Sequence, residues 1–93
     1  MTIEKFIGDI VTALHRYAMV GKYEKHTIAI FHYQTSLKIL FEIYMSKSRK
    51  KFGHSIEISF YEIQKTRFDI VDKTLYGVTT ALEFTLRKEG IKG

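Results

Sequence analysis

Residues 55–63 read Ser-Ile-Glu-Ile-Ser-Phe-Tyr-Glu-Ile, and this passage decides the fold that the sequence predicts. Apolar and polar side chains alternate at its start, as they do in a short half-buried strand. Ser59 suits the N-cap of a helix, because Glu62 stands three residues later and completes a capping box. Ile58 and Ile63 have the spacing of a hydrophobic staple. We therefore predict a short strand that leads directly into a helix.

A second, longer helix is expected downstream. The first helix should end around Arg67, and the next should begin near Lys73, with Asp69 or Asp72 as its cap. One apolar stripe of helical spacing runs along it: Val78, Ala81, Leu82, Thr85 and Leu86. Gly90 suits the residue after the helix, where glycine adopts a left-handed conformation at little cost. The opposite face carries Lys73, Tyr76, Gly77, Thr80 and Arg87.

The segment before residue 55 also shows helical spacing. Five large apolar residues recur at the intervals of a helical stripe: Leu37, Leu40, Phe41, Tyr44 and Met45. A charged run follows at positions 46–51, and Gly53 marks the end of the segment. The Thr-Ile-Ala-Ile-Phe run at 27–31 fits either a strand or the start of this helix, and we favour the helix.

This order of elements resembles the winged helix-turn-helix family of DNA-binding domains, particularly the small regulators of archaea and their viruses. The likeness covers residues 35–93 and rests on four segments: Leu37–Met45, Ile56–Ser59, the Tyr61-Glu62-Ile63 step, and Val78 through the closing phrase Leu-Arg-Lys-Glu-Gly-Ile. It implies a mostly α fold, with a helix-turn-helix, winged-helix-like core, an extra N-terminal helix and one short β-strand. Two departures are visible. The connector between the last two helices is longer than in the family, and the sequence ends at Gly93 where the family continues into a wing, so we expect the wing to be reduced or absent.

The resemblance implies sequence-specific binding of double-stranded DNA by a homodimeric transcriptional regulator. The first half of the recognition helix would contact base edges through Lys73, Thr74, Tyr76, Gly77 and Thr80. Phosphate contacts would come from Lys47, Arg49, Lys50, Lys51, Lys65 and Arg67. Two simpler explanations stay open. The cations at 47–51 suit a helix C-terminus, and Gly77 suits close packing against a neighbouring helix.

The charge distribution favours the same part of the chain. The formal net charge is +5, and residues 47–93 hold ten Lys and Arg against six Asp and Glu, while residues 1–46 hold five against four. A basic surplus of this kind attracts the phosphates of nucleic acids, and the release of counterions on binding supplies non-specific affinity. A small helical protein-protein interaction module without nucleic-acid binding is the alternative function, and it predicts a large exposed apolar patch.

Residues 1–20 predict an N-terminal helix that serves dimerisation. A coiled-coil-like seam of alternating four- and three-residue spacings runs along it: Ile3, Ile7, Ile10, Leu14 and Tyr17. Other apolar residues widen the surface on both sides, so this helix needs more than one neighbour. An ordinary core helix within the monomer is the alternative interpretation.

Composition limits the remaining possibilities. Ninety-three residues make a single domain, and no cysteine is present, so neither a disulfide framework nor thiol chemistry is expected. The four histidines lack metal-ligand spacing, and we expect no metal and no cofactor. Charged residues interrupt the most apolar window, which argues against a membrane span and for a cytoplasmic protein. Phosphate loops and nucleophile motifs are missing, so an enzyme is not expected.

Overall fold

The protein folds as two layers, a three-stranded sheet and a layer of helices. The structure is a computed structural model that describes residues 1–21, 23, 25–45, 49–65 and 70–90. The elements in chain order are α1 (Ile3–Val20), β1 (Lys25–His32), β2 (Ser36–Met45), β3 (Lys50–Ser59), α2 (Phe60–Lys65) and α3 (Ile70–Lys88). The strands form one antiparallel sheet in the order β1-β2-β3. Helix α1 packs against β1 and α3 against β3, so one face of the sheet is covered.

This architecture corrects the predicted fold class. The chain is not a mostly α, winged-helix-like domain with one short strand, because three strands of 8, 10 and 10 residues account for its centre. The helix predicted over Leu37–Met45 is strand β2, and the Thr-Ile-Ala-Ile-Phe run at 27–31 lies within β1.

Strand β2 forms because its side chains alternate between two environments. Leu37, Ile39, Phe41 and Ile43 are at most 1% exposed, while the residues between them are partly exposed. A strand places successive side chains on opposite faces, so every second residue enters the core. Its pairing with β1 and β3 is continuous, with Phe41 opposite both Ile28 and His54.

The core lies between this face of the sheet and the helices. Its buried helical residues recur every four positions in α1 (Phe6, Ile10, Leu14, Ala18) and at similar spacing in α3 (Val78, Leu82, Leu86). Each large apolar side chain buried in this way contributes about 1.5–3 kcal/mol of transfer free energy. The opposite face of the sheet, which we call the open face, receives no helix in the part of the chain that the structure describes.

Several local predictions for residues 55–90 are confirmed. The strand at 55–59 is the second half of β3, and α2 begins at Phe60. The Glu62 amide donates a hydrogen bond to Ser59 Oγ at 3.1 Å, as expected for an N-cap. Gly90 has a φ of 75° and ends α3 in the left-handed conformation. The predicted end of α2 near Arg67 and the capping role of Asp69 lie outside the described residues, and α3 begins at Ile70, earlier than Lys73.

The predicted N-terminal helix is also confirmed, and polar contacts attach it to the rest of the fold. Tyr17 Oη donates a 2.8 Å hydrogen bond to Glu83 Oε1, which joins α1 to α3. Burial, followed by this hydrogen bond, raises the pKa of the Tyr17 phenol far above its ordinary value. On the other side of α1, His15 Nδ1 and His26 Nε2 lie 3.0 Å apart and join α1 to β1.

Candidate nucleic-acid interface

The outer face of α3 is open to solvent, as the sequence predicts for a reading helix. Lys73, Tyr76, Gly77 and Thr80 are all exposed, and Tyr76 retains 73% of its accessible surface. Thr74 must be removed from the predicted base contacts. It is 2% exposed, and its hydroxyl donates a 2.7 Å hydrogen bond to the Ile70 carbonyl, because its position points towards the core.

Gly77 has no packing reason to be glycine. A Cβ built at this position would lie 3.7 Å from Ile56 Cδ1, which is an ordinary van der Waals distance. The alternative that close packing within the monomer requires Gly77 is therefore not supported. An interior glycine costs a helix roughly 0.8–1.0 kcal/mol relative to alanine, and the contacts of Gly77 in the described residues do not account for this cost.

The predicted phosphate contacts that lie in the described residues come from separate elements. Lys65 lies on α2, where its Nζ donates a 2.8 Å hydrogen bond to Tyr61 Oη. Lys50 and Lys51 begin β3, Arg49 lies in the turn immediately before it, and the element that precedes all three is strand β2. Lys47 and Arg67 fall outside the described residues. The macrodipole explanation for the 47–51 run is therefore wrong, because the segment before it is a strand.

The predicted dimer seam on α1 is mostly internal. Ile10 and Leu14 are fully buried in the monomer core, and Tyr17 is bonded to α3. Ile10 and Leu14 therefore cannot contact a second copy, and the partly buried Tyr17 is occupied by its hydrogen bond to Glu83. Ile3 and Ile7 are partly exposed and lie at the margin of the core.

The open face of the sheet brings together side chains that are far apart in the sequence. Its side chains come from the remaining set of positions in each strand: Lys25, Thr27, Ala29 and Phe31 of β1, Lys38, Leu40, Glu42 and Tyr44 of β2, and Lys51, Gly53, Ser55 and Glu57 of β3. Apolar side chains occupy its middle, and charged residues surround them. Phe31 is 43% exposed and lies under Lys38, whose Nζ is 5.9 Å from the ring centroid.

One cross-strand row of the open face combines an aromatic ring with two lysines. Tyr44 is paired with Lys25 on one side and with Lys51 on the other. Lys25 Nζ lies 6.0 Å from the centroid of the Tyr44 ring, at the outer limit of a cation-π contact. A groove of about 350 Å³ opens here, lined by Lys25, His26, Thr27, Glu42, Ile43, Tyr44 and Lys51. We call this groove with its three-residue row the Lys-Tyr-Lys groove.

Further cations surround the end of the molecule that carries this groove. Lys50 Nζ lies 3.7 Å from Glu89 Oε2, which brings the last turn of α3, with Arg87 and Lys88, beside the start of β3. Arg49 is exposed and has a φ of 56°, a left-handed conformation that costs a non-glycine residue free energy. The fold thus places a cation from the first half of the chain, Lys25, among cations of the second half.

Glu42 and Gly53 shape the floor of the groove. A Cβ built on Gly53 would lie 2.8 Å from Glu42 Cγ, so the Glu42 side chain lies across the space that glycine leaves. Within the described ranges, the Glu42 carboxylate forms no ion pair. Its oxygens can accept hydrogen bonds from a ligand in the groove.

Lys25, Glu42 and Tyr44 are absent from the predicted site residues because the helical spacing at 37–45 predicts a helix where the structure has a strand. Two signals pointed to them. Apolar residues occupy every second position from Leu37 to Ile43, and β-branched and aromatic residues are frequent in this segment. Strand pairing then brings Lys25 and Lys51 to either side of Tyr44. To predict this row from the sequence, the pairing register of the three strands must be known as well as their positions.

Other classes of site find less support. In the described residues, no three metal-ligating side chains converge, although His15 and His26 are in contact. None of the helices there has the length and apolar character that a membrane crossing requires. Comparisons with known protein families, with curated proteins and with solved structures each find no match to this chain.

Proposed function

We propose that this protein binds nucleic acid, and that the Lys-Tyr-Lys groove on the open face is its main contact with a single strand. The observation that carries this proposal is the row itself, in which Tyr44 stands between Lys25 and Lys51 on a surface that no helix of the described residues covers. Proteins that hold single strands combine aromatic rings, on which bases stack, with cations that follow the phosphates. The groove offers both within one cross-strand row.

The chemistry of the groove favours a nucleic acid over other anionic ligands. A base stacked on Tyr44 would leave its flanking phosphates within reach of the two lysines, since neighbouring strands are about 4.8 Å apart. The Glu42 carboxylate repels phosphates, but it accepts hydrogen bonds from the amino group of a base or from a ribose hydroxyl. A simple anion would gain nothing from the ring and would be repelled by Glu42.

The test is a set of fluorescence anisotropy titrations with labelled single-stranded DNA and RNA of mixed sequence. Tyr44→Leu keeps an apolar side chain on the sheet and removes the stacking surface. We expect its Kd to rise roughly 5- to 150-fold, which corresponds to about 1–3 kcal/mol for one stacked base. Lys25→Gln with Lys51→Gln should lower the slope of log Kd against log salt by about 1.4, or about 0.7 for each lost phosphate contact.

Matched controls separate this site from general charge effects. Tyr61→Leu removes another tyrosine with a lysine near its ring, because Lys65 Nζ lies 4.9 Å from the Tyr61 centroid. Lys65→Gln with Lys73→Gln removes the same charge elsewhere. The proposal is wrong if the control pair weakens single-strand binding as much as the groove pair, or if Tyr44→Leu binds like the wild type.

Duplex DNA is the second candidate ligand, and the exposed face of α3 favours it. An α-helix fits the major groove, and Tyr76, Gly77 and Thr80 line a face that nothing in the described monomer covers. This surface would serve a sequence-specific transcriptional regulator, with Lys73 near the phosphates. Under this hypothesis the effects reverse: Thr80→Ala relaxes sequence preference on duplexes, and the lysine pair 65 and 73 affects binding more than the groove pair. If neither duplexes nor single strands bind near 150 mM salt, a protein-interaction module replaces both proposals.

A further inference from the structure

Strand β1 leaves one edge of the sheet without a partner in the described residues. The Tyr33 amide donates to the Ser36 carbonyl at 2.9 Å, so this pair of residues is a hydrogen-bonded one. Hydrogen-bonded and non-hydrogen-bonded pairs alternate along an antiparallel ladder. The backbone groups of the odd-numbered residues therefore face β2, and those of His26, Ile28, Ile30 and His32 face outward.

The other edge of the sheet is protected, whereas β1 is not. The Phe60 amide donates a hydrogen bond to the Thr35 carbonyl, so the same alternation applies between β2 and β3. The backbone groups of odd-numbered β3 residues, among them Lys51 and Glu57, therefore face away from β2. Charged side chains on an outer strand discourage pairing with another chain. In β1, the six residues from His26 to Phe31 carry no carboxylate, lysine or arginine, and its ladder contains no bulge.

Apolar residues beside the β1 edge are incompletely covered. Ile28 and Ile30 point to the helix-covered face, yet both stay partly exposed. On α1, Ile7 and Val11 share a helix side with His15, which contacts His26 of β1. Ile7 and Val11 are both partly exposed. A partner at this edge would cover backbone groups and apolar side chains together.

Gly8 provides room for a second helix at this edge. Only four residues join α1 to β1, so the two elements run in opposite directions. The contact of His15 with His26 fixes one level at which the two elements meet. From His26 to Ala29, β1 advances roughly 10 Å, and α1 covers the same length in about seven residues, from His15 back to Gly8. Gly8 therefore lies about level with Ala29 along the direction of β1. A Cβ built on Gly8 would meet no atom within 4 Å, so no contact within the described part of the chain accounts for this interior glycine.

We infer that two copies of this chain pair through their β1 strands, antiparallel, about a two-fold axis at Ala29. This register places the outward backbone of Ile28 opposite Ile30 of the second copy, and that of His26 opposite His32. No lysine or carboxylate faces a like charge across the axis. The α1 helices of the two copies cross near Gly8, where two backbones can approach closely. The sheet becomes continuous across the axis, and both Lys-Tyr-Lys grooves lie on the same open face.

A second copy fits this edge better than an unrelated extended peptide does. The partner must supply a strand and also a flat apolar helix side to cover Ile7 and Val11, and a second β1–α1 unit brings both. In a pairing about a two-fold axis, the same outward-facing backbone groups of both copies bond to one another, so one strand edge provides both sides of the interface. This inference does not depend on nucleic-acid binding.

Cysteine cross-linking tests the register, since the chain contains no cysteine of its own. Ala29 lies in a non-hydrogen-bonded pair with itself across the axis, where Cα atoms are about 4.5 Å apart, within the range of a disulfide. We expect Ala29→Cys to form a covalent dimer under mild oxidation. Ser55→Cys is the matched control, because Ser55 occupies the same cross-strand row and face at the opposite edge. Equal cross-linking of the two variants would overturn the inference.

A second variant tests the helix crossing and does not rely on oxidation. Gly8→Gln should leave the monomer fold intact or stabilise it, because the position is open and glutamine favours helix. In sedimentation equilibrium the wild type should have twice the chain mass, and Gly8→Gln should have the mass of one chain. Gly77→Gln makes the same change on α3 and should remain dimeric. A monomeric wild type at all concentrations, or a dimer that Gly8→Gln leaves unchanged, would refute the proposed interface.

Discussion

Replacing Gly77 with alanine should stabilise the fold, and this result follows from two features of the structure. The position is interior to α3, where alanine is favoured over glycine by roughly 0.8–1.0 kcal/mol. The added methyl group would lie 3.7 Å from Ile56 Cδ1, so it gains a contact without displacing an atom. For a domain of this length, 1 kcal/mol raises Tm by about 4–8 °C.

The same substitution at Gly53 should have the opposite sign. Its Cβ would lie 2.8 Å from Glu42 Cγ, close to the attachment of that side chain, so the side chain or the strand must move. Overpacking of this kind costs about 1–3 kcal/mol. Adding Glu42→Ala removes the obstructing group, and the double variant should recover most of the lost stability. Urea denaturation of the four proteins measures these differences.

Two outcomes would refute this reasoning. If Gly77→Ala lowers the free energy of unfolding, α3 must lie closer to β3 than the distance to Ile56 indicates. If Gly53→Ala is as stable as the wild type, the Glu42 side chain does not lie across the groove floor. The alanine at position 77 also separates the two ligand hypotheses, because it should weaken duplex binding only if the α3 backbone approaches DNA.

Three further substitutions test individual contacts. Ser59→Ala removes the cap of α2 and should lower the free energy of unfolding by about 1 kcal/mol in urea. Tyr17→Phe should flatten the fall in stability at alkaline pH. Because the folded state raises the pKa of Tyr17, the stability that this group contributes is present below about pH 10 and is lost as the pH rises beyond that value. Equilibrium unfolding of both proteins at about pH 7–11 measures the difference. Lys50→Gln breaks an exposed ion pair with Glu89, and an unchanged Tm is expected; a clear fall would show that the pair fixes the end of α3.

The helices at the two ends of the chain could be predicted because short-range patterns specify them. The cap at Ser59, the apolar stripe of α3 and the left-handed Gly90 each depend on residues within a few positions of one another. These signals act before any tertiary contact forms. The same applies to α1, whose apolar positions recur at helical intervals regardless of what covers them.

The centre of the chain was misassigned because its apolar residues satisfy two periods. In Leu37–Met45, a helical stripe can be drawn through Leu40 and Phe41, while a strand uses Leu37, Ile39 and Phe41. A short apolar run does not decide between these, and no proline interrupts it. Pairing on both sides with β1 and β3 resolves the ambiguity, and such pairing is a long-range property.

The candidate site could be predicted only in part, for the same reason. Arg49, Lys50 and Lys51 were singled out from local charge, and they do lie at the basic end of the molecule. Lys25 lies 26 positions before Lys51, and only the register of three strands brings the two lysines to either side of Tyr44. Thr74 failed as a base contact because it lies four residues before Val78 and continues the buried stripe of Val78, Leu82 and Leu86.

The parity of the residue numbers in β2 separates core side chains from the side chains of the proposed binding face, and this separation can be measured. Odd-numbered positions enter the core, so Ile39→Ala and Phe41→Ala should cost about 2–5 kcal/mol each and leave the groove side chains unchanged. Even-numbered positions face outward, so Lys38→Ala and Glu42→Ala should change stability little. An alanine scan from Leu37 to Tyr44, read by urea denaturation and by anisotropy with a single strand, should therefore alternate with a period of two in stability. Loss of binding should concentrate at the outward positions nearest Tyr44. If stability loss instead follows a period near 3.6, this segment is helical in solution, and the sheet, the groove and the paired edge would all be wrong together.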